Sequence, residues 1–403
     1  MSAGAPLPRA SLRRNLGSSR DVETSGSALT FADGPPNRTI AGNFFSRASS
    51  GSGSTFEVGM SDVIFLPESI LEVQTLAALR DAGANEETAG AATRAMLHAS
   101  RLGIDSHGVR LAAHYAKVLR GGRVNPNPAM KTHRTAAGAA TLDADDGLGH
   151  AAAYAAMELA CSMAKEAGVA AVGVVRSSHY GAAGAYALAG AEAGMIAVSM
   201  SNTDAIVALH GGAERFHGTN PMAIGAPVPN QKPWLLDMAT SSIPLNRVFL
   251  YEALGKTLPE GVAADQSGHP TRDPANVEML MPLGGMDFGF KGAGLAGLVT
   301  LLSAVLTGST LDHLMIRMAE TDDFETPRRM GHFCLAIDPD RFAGRALFDE
   351  AITRYLSDLR ASAAREGQSV MAPGDREWAV EAERARTGIP VDRKTAKFLG
   401  LAE

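Results

Sequence analysis

The chain has 403 residues, with 37 basic and 43 acidic side chains and a net charge of −6 at pH 7. Hydrophobic residues at 45% and charged residues at 20% exclude wholesale disorder, and the length suggests two or three folding units at about 150 residues each. The acidic balance excludes a general attraction to nucleic acid or to an anionic membrane, so any bound anion is held by local groups.

Residues 1–60 carry 11 Ser, 8 Gly and 4 Pro, and they show no sustained hydrophobic period. Within this segment, residues 1–20 hold Arg9, Arg13, Arg14 and Arg20 and no acid, the composition of an organellar transit peptide. The same composition suits a disordered tail, and Met60 opens directly onto the first patterned segment, so a misplaced start is a third reading. There is no apolar region of the kind a secretory signal needs.

From Pro67 the pattern is helical, with Ile70, Leu71, Val73, Leu76 and Leu79 on one face and Gly83 as the stop. Asn85 predicts the N-cap of a second helix, with Glu86 and Glu87 in its first turn, running to Gly103. The polar run from Gly103 to Arg110 breaks it, and a short helix precedes a loop from Gly121 to Pro128. An alanine-rich helix from about Ala151 to Gly168 then leads into an apolar strand, Val169 to Val175, and a turn from Ser177 to Gly181. Another Ala/Gly helix reaches Gly194, and Met195 to Met200 reads as a second strand. Helices alternating with short apolar strands predict an α/β unit with buried strands.

The apolar stretch Gly294 to Leu306 is shorter than the ~20 residues a bilayer needs, so no transmembrane helix is predicted. From Asp349 the pattern is helical again, broken by Ala372-Pro373-Gly374 before a final helix. Cys161 and Cys334 form no disulfide framework and no metal-ligand spacing, which suits free, packed thiols in a reducing compartment.

Gly292-Ala293-Gly294-Leu295-Ala296-Gly297 matches G-x-G-x-x-G, but the glycine-broken segment Met281 to Phe290 stands where a Rossmann strand is required. What remains useful is Lys291 at the predicted helix start, where an ammonium and backbone N–H groups can together hold a phosphate. Two histidines sit at turns, His107 and His179, and His179 follows a buried strand, where α/β enzymes place reacting groups. Asp105, Ser106 and His107 are too close in sequence to assemble a hydrolytic triad, and there is neither a G-x-S-x-G elbow nor an H-E-x-x-H zinc motif.

These segments converge in order. Asp105-Ser106-His107-Gly108-Val109-Arg110-Leu111, Ser178-His179-Tyr180-Gly181, Gly218-Thr219-Asn220-Pro221, Leu236-Asp237-Met238-Ala239-Thr240-Ser241, Pro282-Leu283-Gly284-Gly285, Lys291-Gly292 and Ala372-Pro373-Gly374 resemble the signature segments of the malate/L-lactate dehydrogenase family of the non-Rossmann type. The resemblance covers about Pro67 to Leu401. It implies an α/β, non-Rossmann fold with helical N- and C-terminal parts around a central sheet-containing cofactor domain. In residue terms, 61–140 with 325–403 would be a mainly helical substrate and dimerisation part, and 141–324 the cofactor-binding part.

The resemblance also implies an oxidoreductase using NAD or NADP on 2-hydroxy acids, 2-oxo acids or cyclic imino acids, as a cytoplasmic homodimer, with no metal. It places acid/base work on His107 and His179. Cofactor binding falls on Thr203, Asp237, Met238, Ala239, Thr240, Lys291, Gly292, Ala372, Pro373 and Gly374. Elementary chemistry agrees, because hydride delivery to a carbonyl leaves an alkoxide that needs a proton, and imidazole is a reversible donor near neutrality. Arg110 can grip a substrate carboxylate bidentately. One departure is Asn246-Arg247, where many members carry Gly-Lys. The rival readings are a cyclic-imine reductase, which shares the site, and a cofactor-binding protein without turnover.

Overall fold

The computed structural model describes residues 63–318 and 321–402; the N-terminal segment 1–60 lies outside them. Strand β1 (Val63–Leu66) leads into helices α1 (Glu68–Asp81) and α2 (Glu86–Arg101). The predicted punctuation holds: Gly83 takes φ +102° after α1, and Asn85 caps α2 by accepting from the Thr88 N–H at 2.8 Å. Two 3-10 turns, Asp105–His107 and Val109–Leu111, carry the polar segment before α3 (Ala112–Arg120).

Next come β2 (Lys131–Ala136), β3 (Ala139–Asp143), α4 (Gly149–Ala167), β4 (Val169–Ser177), α5 (Gly184–Glu192) and β5 (Ile196–Ser201). Short strands β6 (Val207–Ala208) and β7 (Arg215–His217) precede β8 (Met222–Ala226) and β9 (Trp234–Met238). They are followed by α6 (Leu245–Ala253), β10 (Ala263–Ala264), β11 (Met279–Leu280) and α7 (Gly285–Thr300). The chain ends with β12 (Met330–Ile337), α8 (Arg345–Arg360), α9 (Asp375–Thr387), β13 (Ile389–Asp392) and α10 (Arg393–Phe398). The sequence predicts a last helix after Ala372-Pro373-Gly374. That helix is α9, but β13 and α10 follow it, because β13 returns to pair antiparallel with β1.

The main sheet has seven strands in the order β2-β3-β4-β12-β5-β8-β9. Side chains alternate between its faces, as a two-residue period requires. Val172, Val174, Cys334 and Ala197 point toward α4 and α5, whereas Val198, Met200 and Phe333 meet Val299 of α7 on the opposite face. β12 lies within 325–403 yet sits in the middle of this sheet, between β4 and β5. A separate cluster built on Leu71, Leu79, Met96 and Leu119 packs α1, α2 and α3 with Ile389 and Val391 of β13.

Two expectations are corrected in α7. Its first residue is Gly285, so the segment expected to be a loop up to Phe290 is partly helical, and Lys291 stands in the second turn and not at the helix start. Glycines are poor helix formers in isolation, but Gly289 and Gly292 pack where a Cβ would run into Pro282 and the Leu283 backbone. Close tertiary packing therefore selects them within a helix. In addition, α7 continues through a π-helical turn to Val305, giving 21 helical residues that are long and apolar enough to cross a membrane, about a third of them buried. Asp287 and Lys291, both exposed, are the two charges in this helix, and both lie in its first two turns, before the apolar run read from the sequence.

Candidate active site

The sheet topology collects the signature segments at one edge. β4 and β5 are both antiparallel to β12, so they run parallel and their carboxyl ends emerge together. β8 is antiparallel to β5, with Met222 opposite Met200, and Met238 at the end of β9 stands opposite Met222. His179, Thr203, Asn220 and the segment Asp237 to Thr240 therefore follow or precede strands at one end of the sheet. That is the side where α/β sheets hold their ligands.

A buried histidine fixes this edge. His332 Nε2 is 2.8 Å from Ser177 Oγ and its Nδ1 is 2.8 Å from Ser201 Oγ, so it links the ends of β4 and β5. It stacks on Tyr180 at 4.5 Å between ring centroids. Burial lowers its pKa to about 3, and it remains neutral.

The two histidines singled out in the sequence meet here. The rings of His107 and His179 stack with centroids 5.7 Å apart and an interplanar angle of 18°. Each has a hydroxyl at Nδ1: Ser106 Oγ lies 2.8 Å from that of His107, and Tyr115 Oη lies 2.7 Å from that of His179. The Gly181 N–H also donates to His179 Nδ1, at 3.4 Å. Burial first, and the Arg110 guanidinium second, lower the His107 pKa to about 4. Burial and then His107, Arg328, His114 and His150 hold His179 well below the usual imidazole range. Arg110 is exposed on its 3-10 turn and has no ion-pair partner among the described residues.

The other predicted site residues form a second group along the same edge. The Thr219 N–H donates to Thr203 Oγ1 at 3.0 Å, the Thr240 N–H donates to the Thr219 carbonyl at 2.9 Å, and the Leu283 N–H donates to the Thr240 carbonyl at 2.8 Å. The Gly292 N–H completes the chain by donating to the Leu283 carbonyl at 3.1 Å. Thr240 is fully buried and its hydroxyl bonds the Thr219 and Asn220 carbonyls. Its side chain thus shapes the loop.

Asp237 accepts from the Gly184 N–H at 2.9 Å through Oδ2, which places it at the N-terminus of α5, while Oδ1 has no donor among the described residues. Burial raises its pKa to about 6, opposed by that hydrogen bond. Met238 and Ala239 are half-buried beyond it. Pro373 reaches the sheet through its carbonyl, which accepts from the Leu235 N–H at 3.3 Å, and Gly374 adopts φ +96° as α9 begins. The Ala372 N–H donates to Asp375 Oδ2 at 2.8 Å. Lys291 is exposed, its ammonium 5.4 Å from the Phe288 ring centroid and 6.0 Å from that of Phe290.

Tyr115, His150, His332 and Arg384, the partner of Asp105, belong to this site and are not singled out in the sequence. Tyr115 lies eight residues after His107 on α3, but extended Gly108 separates the two 3-10 turns before that helix, so no regular spacing in the sequence marks it. His150 is fully buried edge-on to Tyr115, with centroids 4.7 Å apart.

The malate/L-lactate dehydrogenase family model matches residues 67–400. The chain is 35% identical over 353 residues to malate dehydrogenase from Pyrococcus horikoshii, covering 85% of this chain and 96% of that one. It is 32% identical to ureidoglycolate dehydrogenase (NAD(+)) from Escherichia coli O157:H7, over 78% of this chain and 88% of that one. Its structure resembles delta1-piperideine-2-carboxylate reductase from Pseudomonas syringae pvar. tomato with a TM-score of 0.74 and 29% identity, over 84% of this chain and 100% of that one. The chain belongs to the malate/L-lactate dehydrogenase family and is an oxidoreductase acting on CH–OH groups.

Proposed function

We propose that this protein interconverts a small 2-oxo acid and its 2-hydroxy acid, using NAD or NADP, as a homodimer in the cytoplasm. The observation that carries the reading is the His107–His179 stack, centroids 5.7 Å apart, with Arg110 three residues beyond His107. When bound, the nicotinamide supplies or accepts the hydride.

Arg110 holds the substrate carboxylate and so fixes the adjacent carbonyl beside the two imidazoles. His107 moves the proton at the substrate oxygen, and His179 orients that oxygen. A neutral His107 is ready to take the hydroxyl proton of a 2-hydroxy acid. In the reverse direction, burial still lowers the His107 pKa, but a carboxylate arriving on Arg110 offsets the second cause, the guanidinium charge, and so shifts the balance toward the protonated donor.

The residues fit a polar, anionic cofactor. Asp237 offers Oδ1 to a hydroxyl or amide donor, and Thr203 Oγ1 lies at the same strand ends. Lys291 brings an ammonium as a point charge, without the helix N-terminus the sequence had suggested. Met238 and Ala239 supply wall, while Thr240, Gly292, Ala372, Pro373 and Gly374 shape the backbone around it. Exposed Phe288 at 59%, Phe290 at 53% and Leu301 at 52% on α7 support a second copy as partner. The likeness to a piperideine-carboxylate reductase supports a second reading, reduction of a cyclic imino acid, at the same site.

The test is NADH and NADPH oxidation against a panel of 2-oxo acids and cyclic imines. Turnover of 2-oxo acids supports the first reading, and turnover of imines alone supports the second. Cofactor binding with no turnover on any member leaves a binding protein and contradicts both.

A further inference from the structure

His179 stands between two donors. The Gly181 backbone N–H can only donate, and it points to Nδ1 at 3.4 Å. Tyr115 Oη reaches the same atom at 2.7 Å. A nitrogen that accepts from a backbone N–H carries no proton of its own, so the Tyr115 hydroxyl donates as well, and the imidazole proton resides on Nε2. No described residue hydrogen-bonds Nε2, and the residue is largely but not fully buried.

Tyr115 is rigidly held in turn. It is 1% exposed within the cluster that packs α1 to α3, its ring tilts against His179 with centroids 5.9 Å apart, and the buried His150 ring meets it edge-on. A hydroxyl buried in this way remains protonated and stays a donor.

We infer that Tyr115 is a positioning residue which, with the Gly181 N–H, locks His179 as the Nε2–H tautomer, so that His179 presents a neutral hydrogen-bond donor to the substrate's reacting oxygen or nitrogen. This rests on the proposed function for its substrate, while the tautomer itself is a property of the protein alone. A donor fixed before substrate arrives needs no reorganisation as negative charge develops on that atom. It also divides the labour: His107, whose Nδ1 meets the Ser106 hydroxyl and no other described hydrogen-bond partner, is left to carry the proton. An outer hydrogen bond that sets an imidazole's tautomer is the same device that orients histidine ligands in metal sites.

The experiment uses the full chain labelled with 15N-histidine and, in parallel, Tyr115→Phe, His179→Asn and the double variant. Two-bond 1H–15N spectra of the wild type at pH 7, without cofactor or substrate, should show His179 protonated at Nε2 only. Tyr115→Phe should populate the Nδ1–H form and lower kcat about 5- to 10-fold, with cofactor affinity and melting temperature unchanged. In the His179→Asn background, adding Tyr115→Phe should cost nothing further.

An Nδ1–H tautomer in the wild type overturns the inference whether or not any substrate is found, so it remains testable if the proposed reaction fails. Wild-type kcat in Tyr115→Phe beside an impaired His179→Asn overturns it while leaving the dehydrogenase reading intact. Equal losses from Tyr115→Phe with and without His179 reduce Tyr115 to a packing residue and overturn it as well.

Discussion

Arg384 of α9 grips the Asp105 carboxylate with two guanidinium nitrogens, Nη1 to Oδ1 at 2.6 Å and Nη2 to Oδ2 at 2.8 Å. Asp105 opens the 3-10 turn that carries His107, and Arg384 also donates to the Ser100 carbonyl at the end of α2. A residue 279 positions away thus ties down the turn that presents the histidine.

Arg384→Gln removes the fork. The turn would keep its backbone bonds but lose its fixed orientation, so kcat should fall about 10-fold or more, while stability changes by only about 1 kcal/mol because Asp105 is nearly half exposed. Arg384→Lys should not restore the rate, since an ammonium cannot reproduce the bidentate pair. Steady-state kinetics beside thermal melts check this; a large drop in melting temperature with normal kcat would contradict it.

Stability should decline as pH falls through the histidine range. His98, His150 and His332 are lowered from 6.5 to about 3, and His114 to about 4, with burial the largest cause in each. A lowered folded-state pKa means the unfolded chain takes up protons below pH 6.5 that the folded chain refuses. Their stabilising contribution is complete above pH 6.5 and is lost progressively as pH falls toward 4 and 3. Melting temperature measured from pH 7.5 to 5 should fall steadily below 6.5, and a flat profile would contradict the buried, neutral histidines.

Asp237 has the opposite sign. Its folded-state pKa, raised from 3.8 to about 6, makes the ionised carboxylate unfavourable in the fold, and that penalty is absent below pH 3.8 and complete above 6. Asp237→Asn keeps an acceptor for the Gly184 N–H, so it should raise the melting temperature at pH 7.5 by roughly 1–4 °C and weaken cofactor binding. Equal melting temperatures at pH 7.5 would argue against the raised pKa.

Lys291→Ala should weaken NADH or NADPH binding by about 10-fold, the scale of one lost charge-assisted contact, read by nicotinamide fluorescence. The ammonium rests near two aromatic rings, not at a helix start, so its charge alone carries the expectation. An unchanged dissociation constant removes Lys291 from the phosphate site.

Much of this arrangement was legible in the sequence, and particular residues show why. Asn85, Gly83 and Gly168 mark helix ends through local chemistry, so α1, α2 and α4 could be read directly. The apolar run of β4 marks a strand buried on both faces. The start of α7 was not legible, because its glycines answer to Pro282 and Leu283 across a tertiary contact. Nor was the place of β12 between β4 and β5, since an apolar run does not name its neighbours. His107 and His179 could be found as histidines in turns. Tyr115 could not, because an aromatic residue on a helix reads as core until its hydroxyl is seen against an imidazole.

The most direct test of the account is single-turnover hydride transfer, followed by nicotinamide absorbance, in His107→Ala and His179→Ala with the 2-oxo acid that the panel identifies. Loss of a general acid costs about 10²–10⁴ in rate, so His107→Ala should show that loss with unaltered cofactor affinity, and His179→Ala a milder one. Normal hydride transfer in His107→Ala with transfer abolished in His179→Ala would contradict the assignment and exchange the two roles.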